Sequence, residues 1–416
     1  MTTFFIRSLG CKVSQYDGER IAEKLKEYDL EENEDYPDLF ILNGCSVTGR
    51  ASQKARQIIR AVRRKKADCK IVLAGCEARL VKKNNENIPE VDWLLPYNDI
   101  DSIKEMMSAL SLDIKCDNEA KITHFNHTEM TRAYLKVQDG CSQFCSYCIV
   151  AHLRGKEWSR PIDDAVREAR ELVLEGHKEI VLTGIHVGHY KPSLVPLLKE
   201  LEKIEGLERI RLSSIESVEV KDDLIDWVAN SPKACHHFHL PLQSGCDKIL
   251  KAMHRPYLTK DFKNVVEHIR KTMPEAAITT DLIVGFPDET EEDFQETLDF
   301  LEEIKFSRFH IFRYSKREGT PAATMPNQIS NEVKIARSDR IEEVWKKHSY
   351  KFAKHFEKRQ IEVLWETLED GWLKGYSKEY VPCKMQSNDE SLRNKLMQVT
   401  GIKAEGSELI TTKSFD

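Results

Sequence analysis

The sequence predicts an α/β protein in three parts: an open parallel sheet, a partial barrel of strand–helix units, and a small all-β barrel. Apolar runs alternate with helical stretches over about the first 115 residues, and this alternation resumes near residue 131. Short strand-like segments separated by turn residues fill the tail from about residue 359. We therefore predict domains at residues 1–115, 127–357 and 358–416.

The first part has the pattern of a parallel sheet. Its strand candidates are residues 3–6, 39–42 and 71–74, and its main helix candidates are residues 18–28 and 48–66. Strands that are separated by helices pair in parallel through crossover connections. Residues 111–130 are polar and show no periodicity, which predicts a linker.

The second part contains six strand–helix units. The strand candidates are residues 133–137, 179–183, 209–213, 236–240, 277–284 and 308–312, and the helix candidates are 162–175, 193–204, 221–229, 259–272 and 291–304. Six units predict a partial (β/α)6 barrel, in which functional residues lie at the carboxyl ends of the strands. A Lys-rich helix at 332–358 then leads to the third part, whose closely spaced strands predict the all-β barrel.

The composition is that of a globular chain. Its 416 residues include 63 Lys+Arg and 69 Asp+Glu, a net charge of −6, and 40% of the residues are hydrophobic. These values exclude a disordered or a collagen-like chain. No window of about 18 apolar residues exists, and the first residues lack a basic segment followed by an apolar one. We therefore expect a cytoplasmic protein without a membrane partner, and a monomer by default.

Three of the eleven cysteines follow the predicted strands of the first part. Cys11, Cys45 and Cys76 each come directly after a glycine. Because the carboxyl ends of parallel strands meet at one edge of a sheet, we expect these three thiols to lie close together. The glycine beside each would let the backbone approach a bulky ligand closely.

Three further cysteines fall within eight residues. Cys141, Cys145 and Cys148 form a C-x₃-C-x₂-C segment, with an aromatic residue before the last cysteine, directly after the first strand of the partial barrel. Three thiolates on one loop can bind three irons of a cubane and leave the fourth iron open. The alternative is a structural zinc site with His152 as the fourth ligand.

The other cysteines and the central histidines lack this spacing. We expect Cys69, Cys116, Cys235, Cys246 and Cys383 to pack as small buried side chains. His236, His237 and His239 lie on a strand candidate, where structural histidines are more common than metal ligands.

Two features point to RNA. Residues 50–70 carry nine Lys+Arg against one acid, and a basic ridge that includes Arg56, Arg60, Arg63 and Arg64 could follow phosphates. The alternative is an ordinary solvated helix face. In the tail, Tyr376 and Tyr380 could stack on bases or could fill the core of the small barrel.

The C-x₃-C-x-aromatic-C segment after a first strand resembles the radical S-adenosylmethionine (SAM) superfamily. The resemblance extends over essentially the whole chain to the methylthiotransferase branch of that superfamily. It rests on the three upstream Gly-Cys pairs and on residues 145–160, 182–184, 241–245, 281–287 and 314–320. It implies a flavodoxin-like N-terminal domain, a radical SAM core and a C-terminal TRAM barrel.

The resemblance also implies two [4Fe–4S] clusters and SAM as both methyl donor and radical source. Cys141, Cys145 and Cys148 would bind the cluster that generates the radical. Cys11, Cys45 and Cys76 would bind an auxiliary cluster that carries the transferred sulfur. An external electron donor and a sulfur source are implied as partners. Strand-end residues are candidates for binding SAM, although ordinary loop capping is the alternative for each: Thr183, Gly184, Ser213, Glu216 and Gln243.

Residues 8–13 and 182–190 are most similar to the subgroup that methylthiolates N6-threonylcarbamoyladenosine at position 37 of tRNA, in the anticodon loop. The subgroup acting on isopentenyladenosine usually has Gln-Met after its first Gly-Cys, and the one acting on a ribosomal protein has Pro-Lys. The sequence departs from the branch pattern at six positions: Ser14, Gly44, Arg79, Ala151, Ser217 and Asp288. Methylthiolation of isopentenyladenosine or of a ribosomal protein side chain is the first alternative function, and a non-catalytic RNA-binding metal protein is the second.

Overall fold

The computed structural model describes residues 2–35, 37–112 and 131–414. Most of the predicted linker, together with Cys116, lies outside these residues. The N-terminal elements are β1 (Thr3–Ser8), α1 (Lys12–Glu27), β2 (Glu31–Glu32), β3 (Leu39–Gly44), α2 (Gly49–Lys65), β4 (Lys70–Ala74), α3 (Gly75–Lys83), β5 (Trp93–Leu95) and α4 (Ile100–Ala109). The strands form one parallel sheet in the order β2-β1-β3-β4-β5, the order of flavodoxin-like folds.

Both faces of this sheet are buried because its strands are apolar at consecutive positions. In β3, Leu39 and Ile41 pack with α1 and α4, whereas Phe40 and Leu42 pack with α2 and α3. Alternate side chains of a strand point to opposite faces, so a continuous apolar run suits a sheet with helices on both sides.

The middle part begins with β6 (Arg132–Lys136), β7 (Gln138–Asp139), α5 (Val150–Arg154), β8 (Trp158–Ser159), α6 (Ile162–Leu174), β9 (Glu179–Thr183), α7 (Leu194–Glu202), β10 (Arg209–Leu212) and α8 (Asp222–Asn230). It continues with β11 (His237–His239), α9 (Asp247–Ala252), α10 (Thr259–Thr272), β12 (Ala277–Val284), α11 (Glu291–Ile304), β13 (Arg308–Arg313) and α12 (Asn331–Lys354).

Six of these strands form the predicted partial barrel. The parallel sheets β6-β9-β10 and β11-β12-β13 are joined by single bridges from Ile210 to Ala234 and from Ser214 to His239. Residues such as Ile180 and Leu282 point outward into the apolar layer under the helices. The alternate residues, among them Arg211 and Asp281, point into the barrel interior.

The tail forms the predicted closed β-barrel. Its strands are β14 (Gln360–Glu369), β15 (Trp372–Ser377), β16 (Pro382–Gln386), β17 (Leu396–Glu405) and β18 (Glu408–Lys413). They close in the order β14-β15-β16-β18-β17 around a core that includes the fully buried Trp365. Closure leaves no unpaired sheet edge in this small unit.

A few helices differ from the predicted ones. Helix α1 begins at Lys12, directly after Cys11, and α12 ends at Lys354 instead of continuing to residue 358. The sequence does not predict the short helices α5 and α9, since five or six residues are too few to show helical periodicity. No helix within the described ranges has both the length and the apolar character needed to cross a membrane.

A buried ion network joins the C-terminal barrel to the middle part. Arg209 and Arg211 on β10 are almost fully buried, and the Arg211 guanidinium donates to Glu179 at 2.6 Å. Their other N–H groups donate to carbonyl oxygens of the small barrel, from Arg209 to Tyr376 at 3.0 Å and from Arg211 to Ser377 at 3.1 Å. The small barrel is therefore fixed at the amino ends of β9 and β10.

A second network joins the N-terminal sheet to the middle part. Arg154, at the end of α5, is 1% exposed and donates to Asp17 on α1 at 2.8 Å and to Asp139 on β7 at 3.0 Å. Lys136 on β6 binds the same two carboxylates at 2.5 and 3.0 Å. Lys136, Arg154 and Asp139 all belong to the middle part, so the second carboxylate that balances the two cations, Asp17, is supplied only when the two parts are docked.

We predict that Glu179→Gln lowers the free energy of unfolding by about 3–5 kcal/mol at pH 7, because Arg209 and Arg211 stay buried without their shared carboxylate. Although burial opposes ionisation, the arginines hold the pKa of Glu179 at about 2. Its charge therefore stabilises the fold above the unfolded-state pKa of about 4.3, and this contribution is lost as the pH falls toward 2. Urea denaturation should show a difference that shrinks below pH 4, and a difference independent of pH would contradict the assignment.

We predict that Arg154→Met also lowers the free energy of unfolding by about 3–5 kcal/mol, since it leaves two buried carboxylates with Lys136 alone. The matched control is Arg167→Met, because Arg167 is 66% exposed and its pair with Asp164 lies at the surface. That variant should differ from the parent protein by less than about 0.5 kcal/mol. Equal urea midpoints for the two variants would show that the docking of the N-terminal sheet on the middle part does not depend on Arg154.

Candidate active site

The three Gly-Cys cysteines lie at one edge of the N-terminal sheet, as predicted. Cys11 and Cys45 lie in the loops after β1 and β3, and Cys76 lies in the first turn of α3, after β4. The loops touch each other: a Cβ placed on Gly10 would lie 3.1 Å from the Cys45 sulfur, and one placed on Gly44 would lie 2.7 Å from the Glu77 Cβ.

This packing gives the glycines a structural role. Gly10 and Gly75 have positive φ values of 117° and 72°, which side chains rarely adopt. The space over Gly10 is taken by Cys45, and that over Gly75 by the Asn43 amide oxygen, which would lie only 2.1 Å from a Cβ placed there. The glycines therefore let neighbouring loops approach one another.

The second set of cysteines lies on the loop between β7 and α5. Cys148 donates its backbone N–H to the Cys145 carbonyl oxygen at 3.0 Å, which curls the loop. Ser146 fixes it to α9 through hydrogen bonds to Met253 O at 3.0 Å and Ala252 O at 2.7 Å. Tyr147, the aromatic residue of the motif, packs into a small apolar cluster with Phe286.

One cysteine of the first set lies at the seam between the first two parts of the chain. Cys76 packs with Ile149 and Leu153, which directly follow the Cys148 loop. Arg154, from the same turn, donates its Nε–H to the Cys76 sulfur at 3.2 Å. The Arg154 network that docks the two parts thus also contacts one of the candidate ligands.

The second set has cationic partners as well. Arg255 donates to the Cys145 sulfur at 3.3 Å and is held by Glu216 and by the Tyr257 hydroxyl at 2.8 Å. The His186 Nδ1 lies 3.6 Å from the Cys141 sulfur. Burial opposes its charge, but contacts with Cys141 and Glu219 raise the pKa of His186 to about 10. Positive groups beside the sulfurs favour the thiolate form that binds metal.

Burial acts in the opposite direction on several of these thiols. It raises the pKa of Cys11 and Cys145, that of Cys45 to about 11, and that of Cys148 to about 12. Free thiols are therefore protonated at neutral pH, and metal binding must displace their protons. Cluster loading should accordingly become easier as the pH rises.

The residues predicted to bind SAM lie around the mouth of the barrel interior. Thr183 ends β9, Gly184 directly follows it, and Ser213 follows β10. The Ser213 hydroxyl is buried and has no hydrogen-bond partner among the described residues. Gln243 has a φ of 69° and bridges to Leu282 on β12. The Glu216 carboxylate is already bound to Arg255.

These residues fit the expected cofactors. Each set offers three thiols, which leaves one iron of a cubane free for another ligand. The unpartnered Ser213 hydroxyl could accept or donate a hydrogen bond at the strand ends. The four other described cysteines pack elsewhere, with Cys383 inside the small barrel and Cys69, Cys235 and Cys246 in other buried positions. His152, the alternative zinc ligand, is exposed and packs against the ring of Phe144.

Three arginines of the predicted basic ridge on α2 are paired within the protein. Arg56, Arg60 and Arg63 form ion pairs with Glu86, Glu90 and Asp92, at 2.5, 3.4 and 2.5 Å respectively. Arg64 is exposed. The acids lie about 30 residues further along the chain, so the charge count of residues 50–70 does not include them.

The two predicted tyrosines lie outside the core of the small barrel, against the middle part. Their rings stack at 4.8 Å, and Tyr380 also stacks on His237 at 4.3 Å. The Arg132 and Arg211 guanidinium groups lie over these rings, at 5.0 Å from Tyr376 and 4.9 Å from Tyr380.

The histidines of β11 take part in a hydrogen-bond network. His237 Nε2 and His239 Nδ1 both contact the Thr279 hydroxyl at 2.8 Å. His239 also lies 3.2 Å from an Asp281 oxygen that His310 approaches at 3.3 Å.

The sequence did not identify Arg154, Arg255 or His186 as neighbours of the cysteines. Each of them contacts a cysteine that is distant in the sequence, so no short motif joins the two residues.

Comparison with known proteins agrees with this geometry. The sequence model described as the radical SAM superfamily matches residues 135–301, and the one described as uncharacterized protein family UPF0004 matches residues 3–96. The structure of the radical SAM methyltransferase TsrM from Kitasatospora setae superposes with a TM-score of 0.58. It covers 78% of this chain and 77% of that chain at 14% identity, a likeness of fold alone.

Curated relatives match almost the whole chain. The threonylcarbamoyladenosine tRNA methylthiotransferase MtaB of Bacillus subtilis is 36% identical, covering 97% of this chain and 94% of the relative. MtaB of Thermotoga maritima is 35% identical, covering 99% of both chains. The tRNA-2-methylthio-N(6)-dimethylallyladenosine synthase of Syntrophus aciditrophicus is 33% identical, covering 95% and 88%. The chain therefore is an enzyme of the radical SAM tRNA methylthiotransferase family, whose cofactors are SAM and two [4Fe–4S] clusters.

Proposed function

We propose that this enzyme converts N6-threonylcarbamoyladenosine at position 37 of tRNA to its 2-methylthio derivative. The observation that supports the proposal is the contact between the two parts that carry the cysteine sets, where Cys76 packs with the turn that follows Cys148. In this proposal, clusters bound on the two sides of that contact act on one bound nucleoside.

In this proposal the two sets of cysteines divide the work. Cys141, Cys145 and Cys148 bind the cluster that, with SAM, supplies a carbon radical. Cys11, Cys45 and Cys76 bind the auxiliary cluster from which sulfur is transferred. Such cofactors supply the homolytic chemistry that an adenine C–H bond requires, because acid–base side chains cannot exchange that hydrogen for sulfur.

The chain's own residues prepare both sites. Arg255 and Arg154 each donate to a cysteine sulfur, and charge-assisted donors of this kind stabilise thiolates and modulate the potential of a bound cluster. Thr183, Gly184, Ser213 and Gln243 are proposed to bind SAM at the strand ends. Glu216 acts through Arg255 in this scheme, since its carboxylate is bound there.

The choice of nucleoside rests on two observations: how much of each relative this chain matches, and which subgroup its residues 8–13 resemble. The MtaB relatives match 94–99% of both chains. The dimethylallyladenosine synthases match 87–95% of this chain and 80–89% of their own length, at comparable identity. Residues 8–13 have the Lys-Val sequence after Gly-Cys that resembles the threonylcarbamoyl subgroup. Action on isopentenyladenosine is the second candidate, favoured by the number of relatives that are named for that activity.

The proposed partners follow from this reaction. The anticodon loop of tRNA is the macromolecular substrate, and a cytoplasmic location gives access to it. Tyr376 and Arg64 are proposed RNA contacts. Tyr380 is not, since its two ring faces already stack on Tyr376 and His237 and leave no face for a base. The ion-paired Arg56, Arg60 and Arg63 could bind phosphates by exchanging their acidic partners. Turnover also needs an external electron donor and a sulfur source. We propose a monomer.

Mass spectrometry of tRNA nucleosides from cells with and without the gene tests the proposal. We predict that 2-methylthio-N6-threonylcarbamoyladenosine disappears and that its unmodified parent accumulates. Loss of the isopentenyl derivative instead would retain the chemistry and overturn the substrate. Unchanged tRNA nucleosides would contradict the proposal.

A further inference from the structure

Lys12 is the first residue of α1 and directly follows Cys11. Its side chain is half-buried. The charged and phenolic groups around its ammonium belong to the other two parts of the chain: Arg132 on β6, Arg211 on β10, Asp281 on β12, and Tyr380 of the small barrel. Lys12 therefore lies where all three parts meet, beside a candidate ligand of the auxiliary cluster.

The other charges of this interior are already compensated. Arg132 binds Glu366 at 2.7 Å, and Arg211 binds Glu179 at 2.6 Å. Asp281 lies 3.2 Å from His239 and 3.3 Å from His310. Within the described part of the chain, no hydrogen bond or ion pair involves the Lys12 ammonium. A half-buried ammonium without an ion-pair partner can bind an anionic group, and such a charge-assisted contact would be favourable beside the cations of this interior only if the group carries a full negative charge.

The substrate of the proposed function carries such a group. The threonylcarbamoyl substituent ends in a carboxylate, whereas the dimethylallyl substituent is an uncharged hydrocarbon. The phosphates of a tRNA are less suited to this position, because the groups near the ammonium are side chains of the barrel interior, Arg132, Arg211 and Asp281.

We infer that Lys12 is a specificity-determining residue that binds the carboxylate of the threonylcarbamoyl group and thereby selects this nucleoside over uncharged N6-substituted adenosines. The inference rests on the proposed function and names the contact that sets its substrate preference. A lysine is a compact point charge, which suits a carboxylate at the end of a flexible substituent.

The first test changes the substrate and leaves the enzyme intact. Holoenzyme with both clusters is assayed on an anticodon stem-loop carrying N6-threonylcarbamoyladenosine and on the same stem-loop with the threonyl carboxylate converted to its methyl ester. A charge-assisted hydrogen bond is worth about 1.5–3 kcal/mol, so the ester should raise KM about ten- to a hundredfold with a smaller change in kcat. Equal KM values for acid and ester would overturn the inference.

The second test changes the enzyme. Lys12→Gln holoenzyme, checked for iron and sulfide content equal to that of the parent, should lose the difference between acid and ester, and Lys12→Arg should restore most of it. Lys24→Gln is the matched control, because Lys24 lies on the same helix but pairs with Glu27. Retention of the full preference for the acid in Lys12→Gln would overturn the inference.

The first test also distinguishes failure of this inference from failure of the proposed function. If the parent enzyme does not methylthiolate the threonylcarbamoyl stem-loop at all, the proposed function fails. If it does so and accepts the ester equally well, the proposed function stands and the role of Lys12 fails.

Discussion

The structure depends on one buried ion network at the seam between the N-terminal sheet and the partial barrel. Arg154 binds Asp17, Asp139 and the Cys76 sulfur at the same time, and it belongs to the turn that follows Cys148. None of these charges can be buried without its partners, so the docking of the two parts and the placement of the two cysteine sets are fixed together. The placement of Cys76 beside the turn that follows Cys148 is therefore set by an ion network and not by the cysteines themselves.

Buried ion pairs also fix the third part, at the other end of the partial barrel. The guanidinium groups of Arg209 and Arg211 on β10 donate to backbone carbonyl oxygens of the small barrel, and Arg209 also pairs with Glu362. This places Tyr380 over the interior, near Lys12 and Arg211. The small barrel thus completes the wall of the candidate active site, in addition to its proposed contact with RNA.

Much of this architecture could be predicted because it depends on local pattern. Strands such as Glu179–Thr183 and Ala277–Val284 have the limits that the sequence predicts, and the meeting of Cys11, Cys45 and Cys76 follows from the rule that parallel strands share an edge. The charged partners could not be predicted, since Arg255 reaches Cys145 across 110 residues and Arg56 reaches Glu86 across 30. For the same reason, the charge count of α2 suggested that its arginines are unpaired, whereas three of them form ion pairs in the folded structure. The glycines were identified correctly as sites of close approach, but only the packed loops show what approaches them.

The central claim is that the two cysteine sets hold two clusters with different tasks. The most direct measurement compares Cys141→Ala and Cys45→Ala, each reconstituted without oxygen, for iron and sulfide content, SAM cleavage and methylthio transfer. We expect each variant to lose about half of the iron of the parent enzyme. Cys141→Ala should lose SAM cleavage, whereas Cys45→Ala should retain it and lose only methylthio transfer. A parent enzyme with one cluster, or equal loss of SAM cleavage in both variants, would contradict the account.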